Sequence, residues 1–277
     1  MQSKNLRIIE NKGVKYIEYP FFEKLGFVKA IGSTRYGGVS CGKDNSSMNL
    51  GYKTLDDAKN VRENYRIFAD AVGISEDSIV TSSQFHNDNI RVCTKSDGGK
   101  GITKERDFED TDALVTNQPG LSLMIFSADC VPVLFADKKS KSVGAAHCGW
   151  RGTYKSLAPK TVQKMVDEYN ADINDICVTI GVSIKKCCYE VSEELYNDFI
   201  KEFPYIDDGN CAETINGKYY LDLPLINKKI LIQYGIREEN IFIADMCTCC
   251  NKEHLFSHRG QGPGRGIMAS IIEIKEK

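Results

Sequence analysis

Residues 121–148 read LSLMIFSADCVPVLFADKKSKSVGAAHC. Three apolar runs, 121–126, 131–136 and 142–146, have the length and composition of strands buried on both faces. The charged stretch Asp137-Lys138-Lys139-Ser140-Lys141 joins the last two as a hairpin. An antiparallel hairpin between buried strands is foreign to regular doubly wound βαβ units. The pause Ser127-Ala128-Asp129-Cys130 separates the first two strands and is followed at once by Pro132. Such polar groups are costly inside a sheet unless they find partners.

Outward from this core, residues 6–10 and 14–18 flank Asn11-Lys12-Gly13 and read as another hairpin. Residues 56–72 place Ala58, Val61, Tyr65, Phe68 and Val72 at steps of three and four and stop at Gly73, which predicts an amphipathic helix with a glycine C-terminus. Further helices are expected at 159–169, 193–203 and 224–234, the last announced by Asp222 and Pro224. Further strands are expected at 113–116, 176–180, 240–244 and 267–274. No internal repeat, low-complexity tract or linker interrupts the chain. The expectation is an α+β fold of mixed β-sheets flanked by helices, one domain over residues 1–277.

The 277 residues are 42% hydrophobic and 27% charged, with 36 Lys and Arg against 38 Asp and Glu. A net charge of -2 gives no electrostatic reason to expect nucleic acid or an anionic membrane as partner. The first twenty residues carry charges throughout and lack the apolar run of a secretion signal, and no stretch is long enough to span a bilayer. The expected location is the cytoplasm. Eleven cysteines, an odd number at irregular spacing, then argue against a disulfide framework.

With only four histidines, His86, His147, His254 and His258, each can be weighed. His86 lies in Ser83-Gln84-Phe85-His86-Asn87, after the apolar Ile79-Val80. His147 follows Val143-Gly144-Ala145-Ala146. Both sit where a buried strand runs out, a common place for chemistry. A lone histidine there is more often a satisfied polar residue, but Cys130 changes the balance. Two imidazoles and a thiolate suit Zn²⁺ with one position left open for water or substrate. The same trio also suits a thiolate nucleophile with an imidazole base. Sequence leaves both open.

Cys247-x-x-Cys250, followed by His254 and His258, has ligand-like spacing. With only one such pair nearby and Leu255-Phe256 reading as strand, packing cysteines in a strand-end loop are the expected outcome. Gly38-Val39-Ser40-Cys41-Gly42 matches a nucleophile elbow but runs into a polar loop instead of a helix. The glycine-rich stretch 260–266 precedes a strand and has no Walker lysine, so it is neither a P-loop nor a dinucleotide fingerprint. It reads as a turn carrying Arg259 and Arg265 near the site. Arg35 and Arg151, each among glycines, are candidates for a phosphate, and Asn49 for a substrate contact. For each of the three, an ordinary turn residue is an equally good reading.

Gln84-x-His86, Ala128-Asp129-Cys130-Val131-Pro132, His147-Cys148-Gly149-Trp150-Arg151-Gly152, Thr34-Arg35-Tyr36-Gly37-Gly38-Val39-Ser40 and Met48-Asn49-Leu50-Gly51 together resemble the laccase-domain purine nucleoside phosphorylases, a family also described as polyphenol oxidases. Cys187-Cys188-Tyr189-Glu190-Val191, Phe256-Ser257-His258-Arg259 and Gly264-Arg265 extend the likeness to the C-terminus. The resemblance implies an α+β fold and a pocket metal, zinc with copper as the alternative, on His86, Cys130 and His147. It implies purine nucleosides and phosphate as substrates: phosphorolysis of adenosine, inosine and methylthioadenosine, with adenosine deamination beside it. Cys130 and Asp129 would then be catalytic, Asp129 moving protons, and Arg35, Asn49 and Arg151 would bind substrate or phosphate. A monomer or homodimer is expected. Asn87, Cys148, Cys249 and Cys250 depart from the family pattern, and the additional cysteines leave open a metal-binding or redox property of this chain. The rivals are a copper phenol oxidase, a metal-free cysteine hydrolase using Cys130, and a non-catalytic zinc or purine sensor. Four histidines are too few for multicopper chemistry.

Overall fold

The computed structural model describes residues 3–276. In chain order the strands are β1 (Arg7–Asn11), β2 (Val14–Glu18), β3 (Val28–Ser33), β4 (Ile79–Thr81), β5 (Ile90–Val92), β6 (Ala113–Thr116), β7 (Ser122–Ser127), β8 (Val131–Asp137), β9 (Ser142–Cys148), β10 (Ile176–Ile180), β11 (Glu190–Val191), β12 (Ala212–Ile215), β13 (Lys218–Leu221), β14 (Ile241–Ile243) and β15 (Met268–Ile274). The helices are α1 (Ala58–Val72), α2 (Trp150–Tyr154), α3 (Leu157–Tyr169), α4 (Glu193–Glu202), α5 (Leu223–Tyr234) and α6 (His258–Gln261).

Two six-stranded sheets carry the fold. One runs β1-β2-β3-β15-β7-β4 and the other β14-β10-β8-β9-β6-β5. Both are mixed: β4 lies parallel to β7, and β10 parallel to β14, among antiparallel neighbours. The expected hairpin is β8–β9, with Val131 opposite Cys148 and Asp137 opposite Ser142. Pro132 is tolerated because it stands at the very end of the β10 ladder, where its carbonyl accepts 2.8 Å from the Gly181 N–H just past the last paired residues, Val133 and Ile180.

Alternation explains why these strands are apolar throughout. Along β8, Val131, Val133 and Phe135 face the core shared with α3, α4 and α5, while Leu134 and Ala136 face the core between the sheets. Along β7, Leu123 and Ile125 enter that inter-sheet core, and Met124 faces the one under α1. Both faces of both sheets are thus covered, which requires apolar residues at successive positions. The α+β arrangement of mixed sheets flanked by helices is therefore the one adopted. Helix α1 is capped by the Asp57 side chain and ended by Gly73 in the left-handed conformation, and α5 is capped by Asp222.

Three departures from the sequence reading stand out. Leu255 and Phe256 are buried but form no strand, because the backbone turns there, with the N–H groups of His254 and Leu255 both donating to the Asn251 carbonyl. Strand β3 pairs with β15 inside the first sheet, although its short run Val28-Lys29-Ala30-Ile31, between Gly26 and Gly32, is not among the strands expected from sequence. A small third sheet, β11-β13-β12, lies outside the strands expected from sequence, and its β12–β13 hairpin turns at Asn216-Gly217, both at positive φ.

Candidate active site

The chain crosses from one sheet to the other at residues 128–130, between β7 and β8. This crossover places Cys130 between His86, beyond the end of β4, and His147 in β9. One ligand atom from each of the three lies within 4.8 Å of the others. The two imidazole rings meet edge to face with centroids 4.9 Å apart. Gly149 makes this possible, since a Cβ there would lie 3.0 Å from Cys130 Sγ and 3.4 Å from His86 Cδ2.

Asp112, immediately before β6, organises the trio. Its carboxylate lies 2.9 Å from His147 Nδ1, which leaves Nε2 for the interior of the site. It also accepts from the backbone N–H groups of Phe85, His86 and Asn87 at 3.0, 3.1 and 2.9 Å. That bond set holds the turn in which His86 takes a positive φ of 61°. A carboxylate behind a histidine is a recurrent device for fixing tautomer and ring orientation at metal sites.

Charge follows from this packing. Burial alone would push the Cys130 thiol up, but the neighbouring His147 and His86 outweigh it and hold the thiol at about 6. Burial likewise depresses His147, yet the Cys130 thiolate and Asp112 raise it above the usual imidazole range. The backbone donors and His147 hold the buried Asp112 below its ordinary value against desolvation. A thiolate, two imidazoles and a carboxylate behind one of them form a donor set that fits a single borderline cation.

Two recesses meet at the trio. One, of about 280 Å³, is lined by His86, Cys130 and His147 together with Gln84, Arg106, Phe126, Arg265 and Ile267. The other, of about 330 Å³, is lined by Asp129, Cys130, Trp150, Tyr189, His258 and Arg259, and shares His86 and Arg265. The Arg265 guanidinium is half-buried, and its Nε has no hydrogen-bond partner. Burial lowers its pKa, with Asp129 and Cys130 opposing.

The other candidates fall out as follows. Asp129, at φ 94°, lines the second recess and accepts 2.6 Å bonds from the Thr248 hydroxyl and the Arg259 backbone N–H. Arg35, Asn49 and Arg151 line neither recess. Arg35 donates to the carbonyls of Ser46 and Lys252, and Asn49 is fully buried between Thr54, Asp56 and Ile267. Arg151 is exposed and stacks over Trp150, 4.2 Å from the ring centroid. His254 bonds the Tyr36 hydroxyl at 2.6 Å and is not among the groups that gather around Cys247 and Cys250.

A family model described as multi-copper polyphenol oxidoreductase laccase matches residues 29–275. The chain belongs to this family. It is 32% identical over 245 residues to the purine nucleoside phosphorylase YlmD of Bacillus subtilis, covering 88% of this chain and 87% of that one. It is 30% identical over 250 residues to the adenosine deaminase RL5 of an unknown prokaryotic organism, covering 88% and 95%. The crystal structure of the hypothetical protein YfiH of Bacillus licheniformis superposes with a TM-score of 0.89 at 30% identity, covering 98% of this chain and 100% of that one.

In this laccase-domain chain, sequence reasoning missed Asp112 as a supporting group. The available signal was a carboxylate placed directly before the fully apolar Ala113-Leu114-Val115, where an acid needs a partner. It also left Arg265 as a turn residue near the site, whereas the fold aims it at both recesses.

Proposed function

We propose that this chain is a purine nucleoside phosphorylase. It would convert adenosine, inosine or methylthioadenosine and phosphate to free base and pentose 1-phosphate, and deaminate adenosine at the same site. We place it in the cytoplasm, as one domain acting as a monomer or homodimer. Among the described residues, no helix is long and apolar enough to cross a membrane. The relatives named as phosphorylase and deaminase support the substrate class. The observation that carries the reading is the His86–Cys130–His147 trio standing where two recesses share Arg265.

The first recess, near the lower end of ligand-pocket volumes at roughly 300 Å³, offers Phe126 and Ile267 to a base and Gln84 and Arg106 to polar edges. Arg265 is a partly desolvated cation with an unused donor, which suits a phosphate oxygen better than water. Arg151, exposed over Trp150, which lines the second recess, would meet incoming phosphate from outside that recess. Arg35 and Asn49 would act through the loops they tie, Asn49 by accepting 2.9 Å from the Ile267 N–H two residues beyond Arg265. Asp129 accepts from the Arg259 backbone N–H and would be the carboxylate that moves a proton to or from the purine.

Zinc, with copper as the alternative, would be held by His86, Cys130 and His147 and would supply a Lewis acid at the mouth of both recesses. The chain's own share is to keep Cys130 ionised, point His147 inward through Asp112 and exclude water with Phe126 and Ile267. A second reading, a metal-free thiolate hydrolase, draws on the Cys130 thiol held at about 6.

The test is to strip the protein, reload it separately with zinc and with copper, and follow adenosine with and without phosphate beside phenol oxidation. The zinc form is expected to give adenine and ribose 1-phosphate, and inosine when phosphate is omitted. Fast phenol oxidation with oxygen uptake in the copper form alone, without nucleoside turnover, would overturn the reading. Activity indifferent to chelation would favour the hydrolase.

A further inference from the structure

Cys187, Cys188, Cys247 and Cys250 bring their sulfurs within 4.8 Å of one another. Cys250 Sγ lies 3.6 Å from Cys187 Sγ and 3.4 Å from Cys188 Sγ. A disulfide would require about 2.05 Å, whereas metal–sulfur bonds of roughly 2.3 Å in a tetrahedron separate sulfurs by about 3.8 Å. The observed spacings match the second pattern.

Four of the other cysteines supply a contrast between packing and ligation. Cys93, Cys148, Cys177 and Cys211 are buried in the cores, where a thiol behaves as a small apolar group. Cys187 and Cys250 are exposed, yet their sulfurs point at other sulfurs. Apolar burial does not explain such a cluster. The backbone delivers it through two turns: the Cys188 and Tyr189 N–H groups donate to the Lys185 carbonyl, and the Asn251 N–H donates to that of Cys247. The turns are joined where Ser183 bridges Cys247 and the Thr248 N–H donates 3.0 Å to the Ser183 carbonyl.

We propose that these four cysteines are a second metal site, a closed tetrathiolate for a borderline divalent ion of the zinc class. Four protein ligands leave no position for substrate, so the role is structural. The ion clasps the turn carrying Tyr189 to the loop carrying His258 and Arg259, and all three residues line the recess beside Cys130. The Arg259 guanidinium donates 3.0 Å bonds to the carbonyls of Cys188 and Glu190 across the same junction. The proposal stands against the expectation from sequence that Cys247 and Cys250 merely pack.

The full chain, purified from zinc-supplemented cells under reducing conditions, should carry two metal ions per chain by elemental analysis. Cys130→Ala should retain one of them. Cobalt loaded into that variant should show the intense visible bands and sulfur-to-metal charge transfer of a tetrahedral tetrathiolate. Adding Cys250→Ser should remove the remaining ion. The cobalt spectrum of Cys130→Ala answers the question even where the double variant fails to fold. The proposal is overturned if Cys130→Ala holds no metal and no cobalt, or if intact mass shows a disulfide among the four with their metal content at zero. Neither outcome bears on nucleoside turnover, so this site and the proposed activity fail separately.

Discussion

Two groups of donor atoms in this molecule, each gathered within 4.8 Å, sit in opposite kinds of surroundings. Around Cys130 the donors are mixed, a carboxylate stands behind one imidazole, and two recesses open onto the group. Around Cys250 every donor is sulfur and two hairpin-like turns are stitched together. What the comparison teaches is that ligand proximity marks where an ion can sit, while the surroundings set whether it can react. An open position beside a cavity permits chemistry, and a filled coordination shell permits only cohesion.

The comparison breaks most sharply at Cys130. Cys130→Ala is expected to lower nucleoside turnover by roughly 1000-fold or more, to lose the ion of the trio and to keep its circular dichroism. Full activity and metal content in this variant would end the distinction between the clusters.

Next comes Asp112→Asn, which leaves all three donors in place. Metal affinity at the trio is expected to fall by about 10- to 100-fold, with the tetrathiolate untouched. The metal-free protein adds a pH signature. The folded pKa of Cys130 is depressed, so the thiolate and the stability it contributes are present above the unfolded value and lost as pH falls through about 6. His147 is raised, so its contribution is present below the unfolded value and lost as pH rises above the usual imidazole range. Removing the Asp112 charge should narrow this window from both sides, read by thiolate ultraviolet absorbance. An unchanged titration would mean that Asp112 only braces the turn.

The smallest effect expected is at Arg265, where Arg265→Ala should raise the KM for phosphate by about 10-fold while deamination changes little. Arg265→Lys should recover little, because an ammonium cannot reproduce the guanidinium fork. Equal losses in both activities would assign Arg265 to the nucleoside instead.

How much of this was legible in the sequence divides along physical lines. Strands β6, β7, β8, β9 and β10 announced themselves because burial on both faces leaves uninterrupted apolar runs. The pairs in the small third sheet did not, since β11 has two residues and β12 is mostly exposed at its end. His86, Cys130 and His147 were legible because histidine is scarce here and Cys130 interrupts a core. Asp112 was silent, being one of 38 acidic residues whose partner lies 35 positions away. For the cysteine cluster the local pair was visible, but Cys187 and Cys250 are 63 residues apart and only the fold brings them together.

The crossover at residues 128–130 has a consequence for how the molecule holds together. His86 hangs from the first sheet, His147 belongs to the second, and Cys130 sits on the span between them. The unfolded chain has no such grouping, so an ion bound there selects for the docked sheets. At a free concentration roughly 100-fold above its dissociation constant, that selection amounts to about 2.7 kcal/mol. Removing the ion would then do more than silence a reaction: it would loosen the seam between the two halves of the core, and the melting temperature would follow the metal concentration.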